Sequence, residues 1–122
     1  MSKNKKQRIK QLLESSFYKN PDAMKEFLAP EIKIKWMSAQ GTQHLGYEVF
    51  QNKIEQMGKS YEELNADFSH LIEEEDTVAG KFTFWMTTIE NPDEVDPVAT
   101  FMLLARFEQN LVTELELMSV LN

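Results

Sequence analysis

A chain of 122 residues, 42% of them apolar, has room for one hydrophobic core and not for two domains. Five of the thirteen basic residues (Lys3, Lys5, Lys6, Arg8 and Lys10) sit at the start, leaving eight against twenty acids, a net of −12, over the rest; such a body repels phosphate and argues against a nucleic-acid partner. No run approaches the ~20 apolar residues of a membrane span, the basic start lacks the apolar stretch of a secretory signal, and without cysteine there are no disulfides or thiolates, so a cytoplasmic protein is expected.

Ile9, Leu12, Leu13 and Phe17 recur at the spacing of a helix with one buried stripe. Asn20-Pro21-Asp22 reads as a helix start, with Asn as cap, Pro at the first helical position and an acid in the first turn. Met24, Phe27 and Leu28 form its apolar face, and Pro30 stops it. Ile32–Trp36 alternates strictly, a strand with Ile32, Ile34 and Trp36 on one face and Lys33 and Lys35 on the other. Ser38–His44 reads as a polar loop. After Gly46, Tyr47, Phe50, Ile54 and Met57 predict a third helix that Gly58 ends.

The second half is β-rich. A strand over Ala66–Ile72, with Phe68, His70 and Ile72 on one side, is followed by apolar runs at Val78–Ile89, Val98–Phe107 and Leu111–Val120. Turns fall at Glu74–Asp76, Asn91–Pro97 and Gln109-Asn110. The run Ala99-Thr100-Phe101-Met102-Leu103-Leu104-Ala105 is apolar on both faces, so it needs a helix layer on one side and another cover on the other. Helices on one face of a mostly antiparallel meander make an α+β domain.

The order of elements, with Asn20-Pro21-Asp22, Phe27-Leu28-Ala29-Pro30-Glu31-Ile32, Trp36, His44-Leu45-Gly46-Tyr47-Glu48-Val49-Phe50 and the closing Leu111-Val112-Thr113-Glu114-Leu115, resembles the nuclear transport factor 2-like superfamily, and within it SnoaL-like proteins. The resemblance spans Ile9 to Val120. It implies a cone: a strongly curved sheet wrapped around three helices, with an apolar pocket between them. Its members include isomerases, cyclases, epoxide hydrolases and dehydratases, and also subunits without catalysis, so the fold alone does not choose a function. The tyrosine and two acids of the ketosteroid-isomerase pattern fall here on Glu14, Trp36 and Leu103, which sets that mechanism aside. The arginine-bridged aspartates of limonene-epoxide hydrolases are not evident either.

His70 and His44 are the only side chains that titrate near neutrality without perturbation. If the Phe68–Ile72 face is concave, His70 points into the cavity; otherwise it is a rim or core histidine. His44 precedes the third helix, near the expected pocket mouth. Glu114 and Glu116 share one face of the last strand, with Leu115 and Leu117 on the other, and would supply a general base if their face is concave. Register decides: a plain two-residue Gln109-Asn110 turn sets Glu116 opposite Leu103 and Glu114 opposite Ala105, whereas one residue more brings Arg106 beside Thr113 or Glu114. Trp36, Tyr47, Phe84, Met86, Phe101, Leu103 and Met118, with His44, are the candidate pocket lining, and Trp85 lies near them. They would equally serve as packed core.

The acidic clusters Glu73–Asp76 and Asp93–Asp96 lack the spacing of a calcium loop. No motif implies a metal or cofactor. Two functions stay open: a binder of a small apolar or aromatic molecule, with cofactor-free acid–base chemistry through His70, Glu114 and Glu116 if it catalyses, or a non-catalytic interaction module whose cone is filled. Met102, Leu104, Leu115 and Leu117 are expected on the outer sheet face, as the interface of a homodimer.

Overall fold

The computed structural model describes residues 4–59, 61–88, 90 and 93–121. Three helices, α1 (Lys5–Glu14), α2 (Pro21–Lys25) and α3 (Tyr47–Gly58), cover one face of a six-stranded sheet. Its strands are β1 (Leu28–Ser38), β2 (Gly41–Leu45), β3 (Tyr61–Glu74), β4 (Thr77–Thr88), β5 (Asp96–Glu108) and β6 (Leu111–Leu121), in the order β2-β1-β6-β5-β4-β3. All pairings are antiparallel except β1 with β6, which is parallel. The sheet curves without closing, so β2 and β3 are its edges.

The helix ends follow local chemistry. The Asn4 side chain accepts from the Gln7 amide at 3.3 Å and that of Asn20 from the Asp22 amide at 3.2 Å, each satisfying a helix-start N–H. Both caps position a short helix whose apolar side is inside: Ile9 and Leu13 of α1 and Met24 of α2 are buried. α3 starts at Gly46 without a side-chain cap and buries Phe50 and Ile54. Its last residue, Gly58, lies so close to the Tyr18 backbone that a Cβ would overlap the Tyr18 carbonyl. The Tyr18 hydroxyl in turn accepts the Leu64 amide at 2.9 Å, joining the α1–α2 connection to β3. Arg8 ties α1 to the α2–β1 junction and the β5–β6 turn by donating to the carbonyls of Glu26 (2.6 Å) and Asn110 (2.8 Å) while its guanidinium lies over Phe27.

Several boundaries differ from the sequence reading. The second helix ends at Lys25, and Leu28 is already strand, bound to β6 by Val112 N–H donating to Phe27 O at 2.8 Å. Pro30 therefore interrupts a strand: β1 advances from Leu28 to Lys33 while β6 advances only from Val112 to Glu114, a bulge that absorbs the missing proline donor. The expected loop at Ser38–His44 is largely strand β2, a hairpin arm turned at Gly41 with φ 108°. Ile89, Asn91 and Pro92, expected at a strand end and in a turn, lie outside the described residues.

Two one-residue bulges decide which side chains face the helices. In β3, Phe68 pairs with Phe82 but His70 pairs with Lys81, so Ser69 is the extra residue. In β6, Val112 pairs with Phe107 but Glu114 pairs with Arg106, so Thr113 is extra. Past each bulge the two faces exchange, because side chains alternate with period two. Leu71 then packs on the core while His70 and Ile72 are exposed. Leu115 and Leu117 are buried, whereas Glu114, Glu116 and Met118 take the outer face. Of the four residues expected on that face, Met102 and Leu104 are exposed there; Leu115 and Leu117 belong to the core, since the Thr113 bulge inverts the simple hairpin register.

Candidate functional site

Inside the cone, β1, β4 and β5 present an aromatic wall. Phe82 and Phe101 stack with centroids 5.4 Å apart and an interplanar angle of 4°, and Phe84 meets both edge-on at 5.2 and 5.5 Å. Trp36 continues the wall, 5.9 Å from Phe101 and 6.1 Å from Phe50 of α3. Period-two alternation on neighbouring strands builds this row, because inward residues of paired strands lie side by side. Opposite them, Ile9, Leu13, Met24 and Ile54 come from the helices, and Leu103, Leu115 and Leu117 close the floor.

These groups enclose a cavity of about 70 Å³, and every residue lining it is apolar. The one polar atom the lining carries, Trp36 Nε1, donates to Ser119 Oγ at 2.9 Å instead. A space of this kind is dry, since a buried water needs two to four polar partners. It is also below the ~150 Å³ of a cavity that takes up benzene. The flexible thioethers of Met24 and Met57 in its wall can yield to a guest.

The expected lining is thus realised in part. Trp36, Phe84, Phe101 and Leu103 line the cavity. Met86 and Tyr47 pack on the core without reaching it. The Tyr47 hydroxyl is buried without a hydrogen-bond partner among the described residues, and burial, followed by the charge of Asp22, raises its pKa. Met118 is on the outer face, carried there by the Thr113 bulge. Phe82, central to the wall, was missed as a site residue although Phe82 and Phe84 share the alternation of β4.

The expected proton-transfer groups all lie outside the cone. His70 is exposed on the outer face, its Nδ1 3.2 Å from Ser69 Oγ. The visible signal was Gly80, on the strand facing this bulge: a Cβ there would stand 2.9 Å from Leu71 Cδ1 and 3.2 Å from the His70 carbonyl. Glu114 accepts from Arg106 at 2.8 Å, and Glu116 lies 3.9 Å from Lys35. His44, across from Lys35 on β2, joins them around an open depression of about 310 Å³. Arg106 also meets Asp76 at 3.4 Å. Asp76 has its pKa lowered by the Thr77 hydroxyl first and, against some burial, by Arg106, whose own pKa Glu114 and Asp76 raise. The result is a mixed-charge strip on the sheet's exterior. Among the described residues, no group of three or more His, Asp or Glu side chains could hold a metal ion. No helix there is long and apolar enough to cross a membrane.

A curved open sheet around three helices, with its cavity between the layers, defines a nuclear transport factor 2-like fold. The chain belongs to the SnoaL-like domain family, whose family model matches residues 9–115. Solved structures agree in fold at low identity. IdmH from Streptomyces antibioticus, a proposed polyketide cyclase, is 16% identical over 96% of this chain and 92% of its own, with a TM-score of 0.77. An NTF2-like protein of unknown function from Burkholderia pseudomallei is 17% identical over 98% and 92%, at 0.68. A proposed SnoaL-like polyketide cyclase from Jannaschia is 11% identical over 94% and 84%, at 0.71. No curated protein matches the sequence significantly.

Proposed function

We propose that this SnoaL-like protein binds a small apolar, preferably aromatic, molecule inside its cone and acts there as a binder, not as an acid–base catalyst. The observation that carries this reading is the aromatic cavity whose lining is wholly apolar. General acid–base catalysis needs a proton-transfer group within hydrogen-bond reach of the substrate. His70, Glu114 and Glu116 stand on the opposite face of the sheet from such a guest. Apolar burial and ring stacking would supply the affinity, and Trp36 would form one wall.

Fluorescence titration tests this in a Trp85→Phe background, where Trp36 is the remaining tryptophan. Single-ring and two-ring hydrocarbons should perturb its emission saturably, and hydroxylated analogues should bind more weakly because the cavity offers no partner for a hydroxyl. Absence of saturable binding by any of these at their solubility limits would defeat the reading. The cavity's 70 Å³ favours the second one, a non-catalytic module whose cone is essentially packed; it predicts that result.

A further inference from the structure

We propose that Ser38 and Ser119 form a hydrogen-bond-donating rim at the open end of the cone, and that this rim selects an aromatic ligand carrying a neutral carbonyl. The inference rests on the binding reading above and specifies the chemistry of its ligand. On β6 no bulge separates Ser119 from Leu117, so both face inward, and on β1 the same holds for Ser38 and Trp36. Each serine is one residue past the paired Met37 and Met118, which sets the two serines side by side on adjacent strands. They stand one inward step, about 6.8 Å, beyond Trp36 and Leu117 of the cavity lining.

Both hydroxyl oxygens already accept a hydrogen bond. Trp36 Nε1 donates to Ser119 Oγ at 2.9 Å, and the Gln40 amide donates to Ser38 Oγ at 3.2 Å. A serine hydroxyl has one proton to give, and among the described residues neither of these protons has an acceptor. The rim therefore offers a ligand two donors. The indole bond also polarises Ser119 and makes its O–H a stronger donor. Two neutral donors suit a neutral oxygen, because a carboxylate needs a countercharge when it leaves water. Among the described residues, the one charged side chain at this end, Lys81, sits on the outward row with Met102.

The space beyond the rim accommodates a ligand larger than the inner cavity of about 70 Å³. A hollow of about 760 Å³ wraps around the end of the sheet, lined in part by Ser38, Ser119 and Leu121, the last 77% exposed. Trp36 lines both spaces, so its indole stands where they adjoin. A ring held against Trp36 and Phe101 places its carbonyl at the serines and its remaining bulk in the hollow. Apolar contact supplies the affinity, and the serines decide which end of the ligand leads.

Equilibrium dialysis of the full chain tests this with three probes of similar shape: methyl naphthyl ketone, isopropenylnaphthalene, in which a methylene replaces the carbonyl oxygen, and naphthoate. The ketone should bind about tenfold more tightly than its hydrocarbon isostere, as expected for two net hydrogen bonds, and more tightly than naphthoate. In S38A/S119A the ratio of ketone to hydrocarbon affinity should fall to about one. Ser38→Ala alone, which leaves the Trp36 bond in place, should lower the ratio about threefold. Thr42→Ala, outward on β2 opposite Met37, should keep it. Equal binding of ketone and hydrocarbon, a preference that survives S38A/S119A, or tighter binding of naphthoate than of the ketone would each overturn this proposal while leaving the cone a binding site. Saturable binding by none of the three would overturn it together with the reading on which it rests.

Discussion

The two faces of this sheet are built from the same strands and carry opposite chemistry. The helix-covered face is a run of aromatic and branched side chains with no ionisable group at its cavity. The outer face holds methionines, paired charges and both histidines. The difference teaches that composition per strand says little about a site here, because each face is selected by register. One inserted residue, Ser69 or Thr113, moves every following side chain from one environment to the other.

The strongest way to break the contrast is to remove a bulge. Deleting Thr113 either turns Glu114 and Glu116 toward the cone or displaces Val112, which is 1% exposed. Each route should cost about 3 kcal/mol or more, from buried charge or a core void, and chemical denaturation should show loss of the cooperative transition. A native-like midpoint would mean that the register is held by something other than this bulge.

A substitution on each face measures the asymmetry directly. Phe82→Ala removes the ring that touches Phe68, Phe84 and Phe101 and should destabilise by about 3–5 kcal/mol. Lys81→Ala, its outward neighbour, should stay within about 0.5 kcal/mol of wild type in the same denaturant series. Comparable losses at both positions would erase the distinction.

Gly80 reports on the second bulge. Gly80→Val should cost about 1–3 kcal/mol, although valine suits strands, because Leu71 and the His70 carbonyl occupy the space it needs. Gained stability would show that the bulge yields easily. At the rim of the cavity, Trp36→Phe and Ser119→Ala should each lose about 0.5–1.5 kcal/mol for the indole–hydroxyl bond. Their double variant should lose less than the sum, and full additivity in thermal unfolding would argue that the 2.9 Å contact contributes nothing.

The smallest effect concerns the charged strip. The folded pKa of Asp76 lies below its ordinary value, chiefly through the Thr77 hydroxyl. Its contribution to stability is therefore present above the unfolded pKa and is lost as pH falls through the folded one. Thr77→Val should raise the folded pKa and shift that loss to higher pH, with the neutral-pH midpoint nearly unchanged, as expected of an exposed pair. Carboxylate NMR titration reads the shift, and an unmoved Asp76 would assign the depression to Arg106.

Amphipathic spacing, the Asn20 cap, the alternation of β1 and the apolar runs of the second half are local signals, and from them the sequence determined three helices, a curved α+β sheet and an aromatic interior. The SnoaL-like family was legible on the same elements. The short strand β2 was hidden because Gly41–Leu45 is a polar, mostly exposed edge with no buried face to impose a pattern. Trp36, Phe84, Phe101 and Leu103 were readable as lining because no bulge separates them from the residues that define their face. Only the tertiary structure decided the sides taken by His70, Glu114, Glu116, Met118, Leu115 and Leu117. A bulge is a pairing between strands far apart in sequence, and no local periodicity records it.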